Sequence, residues 1–186
     1  MKLSLPAIAI AASSLFGLVP LGAHAADGTI SITGTVTDST CSINGNANGT
    51  PADKAITLAT VPAGSLASAG AVAGTSNPTD LQLSLTGCTG TATKAIARFE
   101  NGPTVDQTNG YLSNTAGTAQ NVEVRLLNAQ MQPINVTTGA NNDITTNAAT
   151  ISGGAATLQY FAQYYATGVA TAGTVSSSVQ YSMEYQ

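Results

Sequence analysis

Apolar and polar positions follow two regimes along this chain. Residues 3–21 are mostly apolar. From residue 28 onward the pattern changes to a period of two, with Gly, Asn and Pro between the runs, the signature of half-buried strands. In the run 28–36, Gly28, Ile30, Ile32, Gly34 and Val36 share one face, and Thr29, Ser31, Thr33 and Thr35 share the other. Shorter runs follow at Ile56 and Leu58, at Leu81, Leu83 and Leu85 leading into Cys88, and over residues 94–99. Val122, Val124 and Leu126 alternate with Glu123 and Arg125, and Leu158, Tyr160, Ala162 and Tyr164 alternate with their neighbours. The last run is Val175, Ser177, Val179, Tyr181, Met183 and Tyr185. It has no turn and no partner after it. Residues 44–51, 62–78, 101–109 and 135–154 read as loops, with a short helical turn expected within 63–74. About seven short strands without helical crossovers predict an all-β antiparallel sandwich.

The first regime reads as a secretory signal. Lys2 supplies the positive start, residues 3–21 the apolar stretch, and Ala23-His24-Ala25 the small-residue cleavage site. The expected organisation is a signal over 1–25 and a mature chain from Ala26. No later stretch is apolar for long enough to span a bilayer, so no membrane span is expected after processing.

Charge narrows the function. Charged residues make up 8% of the chain, against roughly 25% in a typical soluble domain. Five basic residues against nine acidic ones argue against nucleic acid, whose phosphates require Lys and Arg. The single histidine, His24, falls in the signal, so a Ser–His–Asp triad, a His-based metal site and a Cys–His pair are excluded from the mature chain. No acidic pair is flagged by spacing, and the acids read as solvated surface charge. Asn141-Asn142-Asp143 lacks the ligand spacing of a calcium loop and reads as a turn. No catalytic residue, metal ligand or cofactor site emerges, and the chain reads as a non-enzyme. Two cysteines, Cys41 and Cys88, in an exported chain predict one disulfide.

Gly34 is out of keeping with the bulky residues on its face. A strand glycine marks either a bulge or the close approach of another group. The pattern leaves both open.

Taken in order, five features resemble the structural pilins of the bacterial chaperone–usher pathway, in particular the type 1 fimbrial major subunit family. They are the alternating N-terminal run bearing Gly34, the cysteine pair, the strand L-Q-L-S-L-T-G-C ending at Cys88, the segment Y-F-A-Q-Y-Y-A-T-G over 160–168, and Gly173 followed by alternation to the penultimate Tyr185. The resemblance covers the mature chain. It implies an incomplete immunoglobulin-like sandwich lacking its last strand, with a donor-strand extension at 26–37 and a pilin domain at 38–186. The donor positions would be Gly28, Ile30, Ile32, Gly34 and Val36. The groove strand would carry Gly173, Val175, Val179, Tyr181, Met183 and Tyr185. The implied partners are a periplasmic chaperone, an outer-membrane usher and identical or related pilin subunits, and the implied destination is a cell-surface fimbrium that supports adhesion. The rival readings are a minor fimbrial adaptor and a secreted ligand-binding β-sandwich in which 28–36 is an ordinary internal strand.

Overall fold

A computed structural model describes residues 30–34, 36, 38 and 40–186. The chain divides into two units, Met1–Thr35 and Val36–Gln186. The expected signal and Gly28 lie outside the described residues. In the first unit, residues 30–34 carry no strand, and Ile30 and Ile32 are each 90% exposed.

The second unit is all-β. Its strands are β1 (Thr40–Ile43), β2 (Val72–Ala73), β3 (Leu81–Thr89), β4 (Lys94–Phe99), β5 (Leu112–Ser113), β6 (Val122–Leu127), β7 (Ala149–Thr150), β8 (Ala156–Ala166) and β9 (Tyr181–Tyr185). One 3-10 turn, Ala63–Leu66, falls where the Ala-rich stretch predicts it. One sheet runs β1-β3-β8-β6-β5, with β2 also on β8, and the other runs β7-β4-β9. Every ladder is antiparallel. This is the predicted antiparallel sandwich.

The period-two runs explain the layers. Leu83 and Leu85 of β3 point into the core while Ser84 and Thr86 point out. Ala95 and Ala97 of β4 face the same core, as do Leu158, Tyr160 and Ala162 of β8. Beyond the end of β7, one side chain ties the two sheets together and another ties β4 to the loop after β6. The buried Ala97 N–H donates to the Tyr160 hydroxyl at 3.1 Å, and Asn142 Nδ2 donates to the Ala97 carbonyl at 2.9 Å. Phe99 meets the Tyr160 ring edge to face at 5.0 Å. Cys41 and Cys88 form the predicted disulfide, which staples β1 to β3.

The last run differs from its sequence reading in two ways. It is not without a partner, because β9 pairs with β4. Nor is it one strand, because the ladder begins at Tyr181 and Thr174, Ser176 and Ser178 bond instead to the irregular chain between 104 and 119. β4 ends at Phe99, so upstream of Gln180 no regular strand faces the run. Residues 53–60, including the alternating Ile56 and Leu58, also form no strand. Alternation reports which side chains are buried, whereas a ladder also needs a neighbouring backbone.

Candidate functional site: an open groove beside the last strand

The backbone hydrogen bonds of residues 174–186 all fall on one side. Gln186 N donates to the Lys94 carbonyl at 3.1 Å and Lys94 N to the Gln186 carbonyl at 2.8 Å. Glu100 N donates to the Gln180 carbonyl at 2.8 Å, which fixes the phase of the ladder on even-numbered residues. Upstream, the Ser178 carbonyl accepts from Thr104 Oγ1, Ser176 N donates to Asn114 Oδ1, and the Thr174 carbonyl accepts from Ala119 N. Strand geometry turns the N–H and C=O groups of Val175, Ser177, Val179, Tyr181, Met183 and Tyr185 toward the opposite edge. There they have no backbone partner among the described residues. The side chains of these same six residues are half-buried.

The facing lip is the segment 51–58. Ala52 is buried and Ile56 and Leu58 pack on the core, yet no backbone group from residue 53 to residue 61 hydrogen-bonds another among the described residues. Between the lips lies a cavity of about 1100 Å³, floored by Leu83, Leu126, Phe99, Tyr160 and Ala162. Tyr181 spans it, its hydroxyl donating to the Ala52 carbonyl at 2.8 Å. Burial, and then the nearby Asp53 charge, raise the Tyr181 pKa. A smaller cavity of about 380 Å³ continues at the Gly173 end, with Tyr164 and Val175 bordering both.

Gly173 has a steric cause. A Cβ there would collide with the Ala119 backbone and lie 2.7 Å from Thr118 Oγ1. Gly117 is the reciprocal case, closed by the Thr174 carbonyl. These paired glycines let residues 117–119 bond the start of the edge run. Gly34 is different, since a Cβ built on it meets no atom within 4 Å.

Of the predicted groove residues, Gly173, Val175, Val179, Tyr181 and Met183 line one cavity or the other. Tyr185 is not among the lining residues and packs on the main core. Burial raises the pKa of its hydroxyl, and a backbone hydrogen bond at Cys41 partly offsets this. Of the predicted donor residues, Ile30, Ile32 and Val36 are exposed, Val36 at 101%. The sequence reading missed the lip at 51–58 and the aromatic floor. The alternation of Ile56 and Leu58 after Pro51 was the available signal for the lip.

The groove offers apolar floor and unpaired peptide groups, with Asp53, Lys54 and Glu100 at its border. No group of three or more His, Cys, Asp or Glu side chains suited to a metal occurs among the described residues. Apolar pockets beside unpaired peptide groups are the features that strand addition uses in general.

Residues 58–186 match the family model described as type-1 fimbrial protein, A. The major fimbrial subunit SMF-1 of Stenotrophomonas maltophilia is 40% identical over 178 residues, covering 92% of this chain and 99% of that one. The F17 fimbrial protein of Escherichia coli is 40% identical over 166 residues, covering 86% and 88%. The minor fimbrial subunit HifD of Haemophilus influenzae is 33% identical over 178 residues, covering 90% and 78%. Among solved structures, the P pilus rod subunit PapA aligns with a TM-score of 0.55 at 23% identity, over 78% of this chain and 99% of that chain, a likeness of fold.

Proposed function

This chain belongs to the type-1 fimbrial protein A family, and on that premise we propose that it builds the shaft of a surface fimbria by lending a strand to one neighbour and borrowing one from another. The observation that carries this reading is the row of six residues, Val175 to Tyr185, whose backbone groups, unpaired among the described residues, face an apolar groove. An unpaired edge of this kind aggregates unless a strand covers it. Periplasmic chaperone is the first cover, and residues 28–36 of the next copy, delivered at the outer-membrane usher, replace it.

The match is physical. In a strand, residues 28–36 reach about 26 Å and the edge from Val175 to Tyr185 about 33 Å, at roughly 3.3 Å per residue. Ile30, Ile32 and Val36, exposed in their own chain, would each contribute roughly 1.5–3 kcal/mol on burial. Each new backbone hydrogen bond adds about 1 kcal/mol. Gly34, unconstrained in its own chain, would face the point in a neighbour's groove that has no room for a side chain. The polar face from Thr29 to Thr35 keeps the free extension soluble.

The test is deletion of residues 26–37. The shortened chain should still co-purify with chaperone and should form no fibres and no SDS-resistant ladders. Normal fibres from it would refute the donor role. The likeness to HifD keeps a minor-adaptor role as the second reading, and the abundance of the chain in isolated fimbriae separates the two.

A further inference from the structure

Four Asn-Gly pairs occur in the chain: Asn44-Gly45, Asn48-Gly49, Asn101-Gly102 and Asn109-Gly110. In each, the glycine nitrogen is unshielded by a Cβ and the backbone turns freely. These are the conditions under which that nitrogen attacks the asparagine side-chain carbonyl. The new N–Cγ bond closes a five-membered imide, and the side-chain nitrogen leaves as ammonia, taking up the proton that the glycine amide gives to solvent. Water then adds to one imide carbonyl or the other, giving aspartate or isoaspartate.

The fold sorts the four pairs. Asn44 is pinned to β3, its Oδ1 accepting from Ser84 N at 2.9 Å and its own N–H donating to the Ser84 carbonyl at 2.8 Å. The Asn101 amide pairs reciprocally with the Gln107 amide, at 3.1 and 2.8 Å. Asn109 is held at both ends, Nδ2 donating to Glu123 and Oδ1 accepting from Tyr111 N, and the Gly110 nitrogen is committed to the Asp106 carbonyl. Asn48 is exposed, and its side chain has no hydrogen bond among the described residues. It sits in a turn closed by Thr50 N on the Ala47 carbonyl at 3.0 Å, with Gly49 at φ +79°.

We propose that Asn48 is the site at which the folded chain ages by imide formation and deamidation. The change would place a new carboxylate at the head of the segment Gly49 to Lys54, which borders the groove. The same segment carries Asp53, of like charge, and Lys54. The isoaspartate product also adds a methylene to the backbone of the turn. The inference rests on the four asparagine environments and does not depend on what fills the groove.

The test is to incubate the purified, folded, disulfide-bonded chain in warm, mildly alkaline buffer and to map peptides by tandem mass spectrometry. Asn48 should convert about tenfold faster than Asn44, Asn101 or Asn109, the scale set by the hydrogen bonds that hold the other three. In the reduced and denatured chain the four rates should converge. Asn48→Gln, which alters one exposed side chain, should abolish the acidic species that accumulates on isoelectric focusing. Conversion first at another Asn-Gly pair, no preference for Asn48 in the folded chain, or persistence of the acidic species in the variant would each overturn the proposal.

Discussion

Tyr160 shows how much one hydroxyl can hold. Desolvation pushes its pKa up to about 12, with the hydrogen bond from Ala97 N acting against that shift. Tyr160→Phe keeps the ring contact with Phe99 but leaves a buried N–H without a partner, so it should cost about 1–3 kcal/mol in denaturant unfolding. Glu123 was expected among the solvated acids, yet it is 6% exposed. Alternation along β6 does turn it away from the core. What buries it is the returning loop, whose Asn109 Nδ2 donates to its carboxylate at 2.7 Å, and long-range loop paths leave no period in a sequence. Burial is the main cause that raises the Glu123 pKa, with Asp106 adding to it. The fold therefore holds the proton more tightly than the unfolded chain does. That contribution is fully present below the ordinary glutamate pKa and is lost as pH rises through the raised value. Glu123→Gln should be at least as stable as the parent at neutral pH, and thermal melts across the acid range should lose this component of their pH dependence. The Arg98–Glu184 pair, at 3.4 Å with both side chains more than 40% exposed, contributes little.

At the scale of elements, the sequence displays faces and conceals partners. The runs that became β3, β4, β6 and β8 could be read because their side chains alternate and their neighbours lie within the chain. Residues 51–58 and 174–180 alternate as well, but one lip meets no backbone and the other meets an irregular loop. The one-sidedness of the last run is directly measurable. Hydrogen exchange in the isolated chain should be fast at the amides of Val175, Ser177, Val179, Tyr181, Met183 and Tyr185, and slower at Gln186 and its even-numbered neighbours. A peptide with the sequence of residues 28–36 should protect the odd set alone, and protection spread evenly over both sets would contradict the edge geometry. The disulfide belongs to this scale too. It closes a loop with a sequence separation of 47, which the chain-entropy model values at roughly 4 kcal/mol. Cys41→Ser with Cys88→Ser should lower unfolding stability by up to that amount, and should lower chaperone capture in co-purification.

For the molecule as a whole, the scarcity of charge suits a fimbrial subunit. A chain packed among other pilin subunits buries surface, and each charge taken out of water is costly. That scarcity was visible in the composition. The strand architecture was visible in the period, and the buried face of the last run in its alternation. The second lip was not, because the alternation of Ile56 and Leu58 reads as an ordinary strand and says nothing of whether a neighbouring backbone is present.

The parity of the last run has a consequence for fidelity. Bonding groups on the groove side recur only at every second residue, and a strand seated one residue out of place would turn its threonines inward and its isoleucines to water. In the proposed exchange, seating errors would therefore be confined to steps of two residues, about 7 Å, and each such step would carry Gly34 off the point proposed for it. The groove acts as a coarse ruler with well-separated marks. Subunit spacing along a fibre built this way cannot drift by small amounts, so the fibre should be uniform without any part of the chain measuring its length.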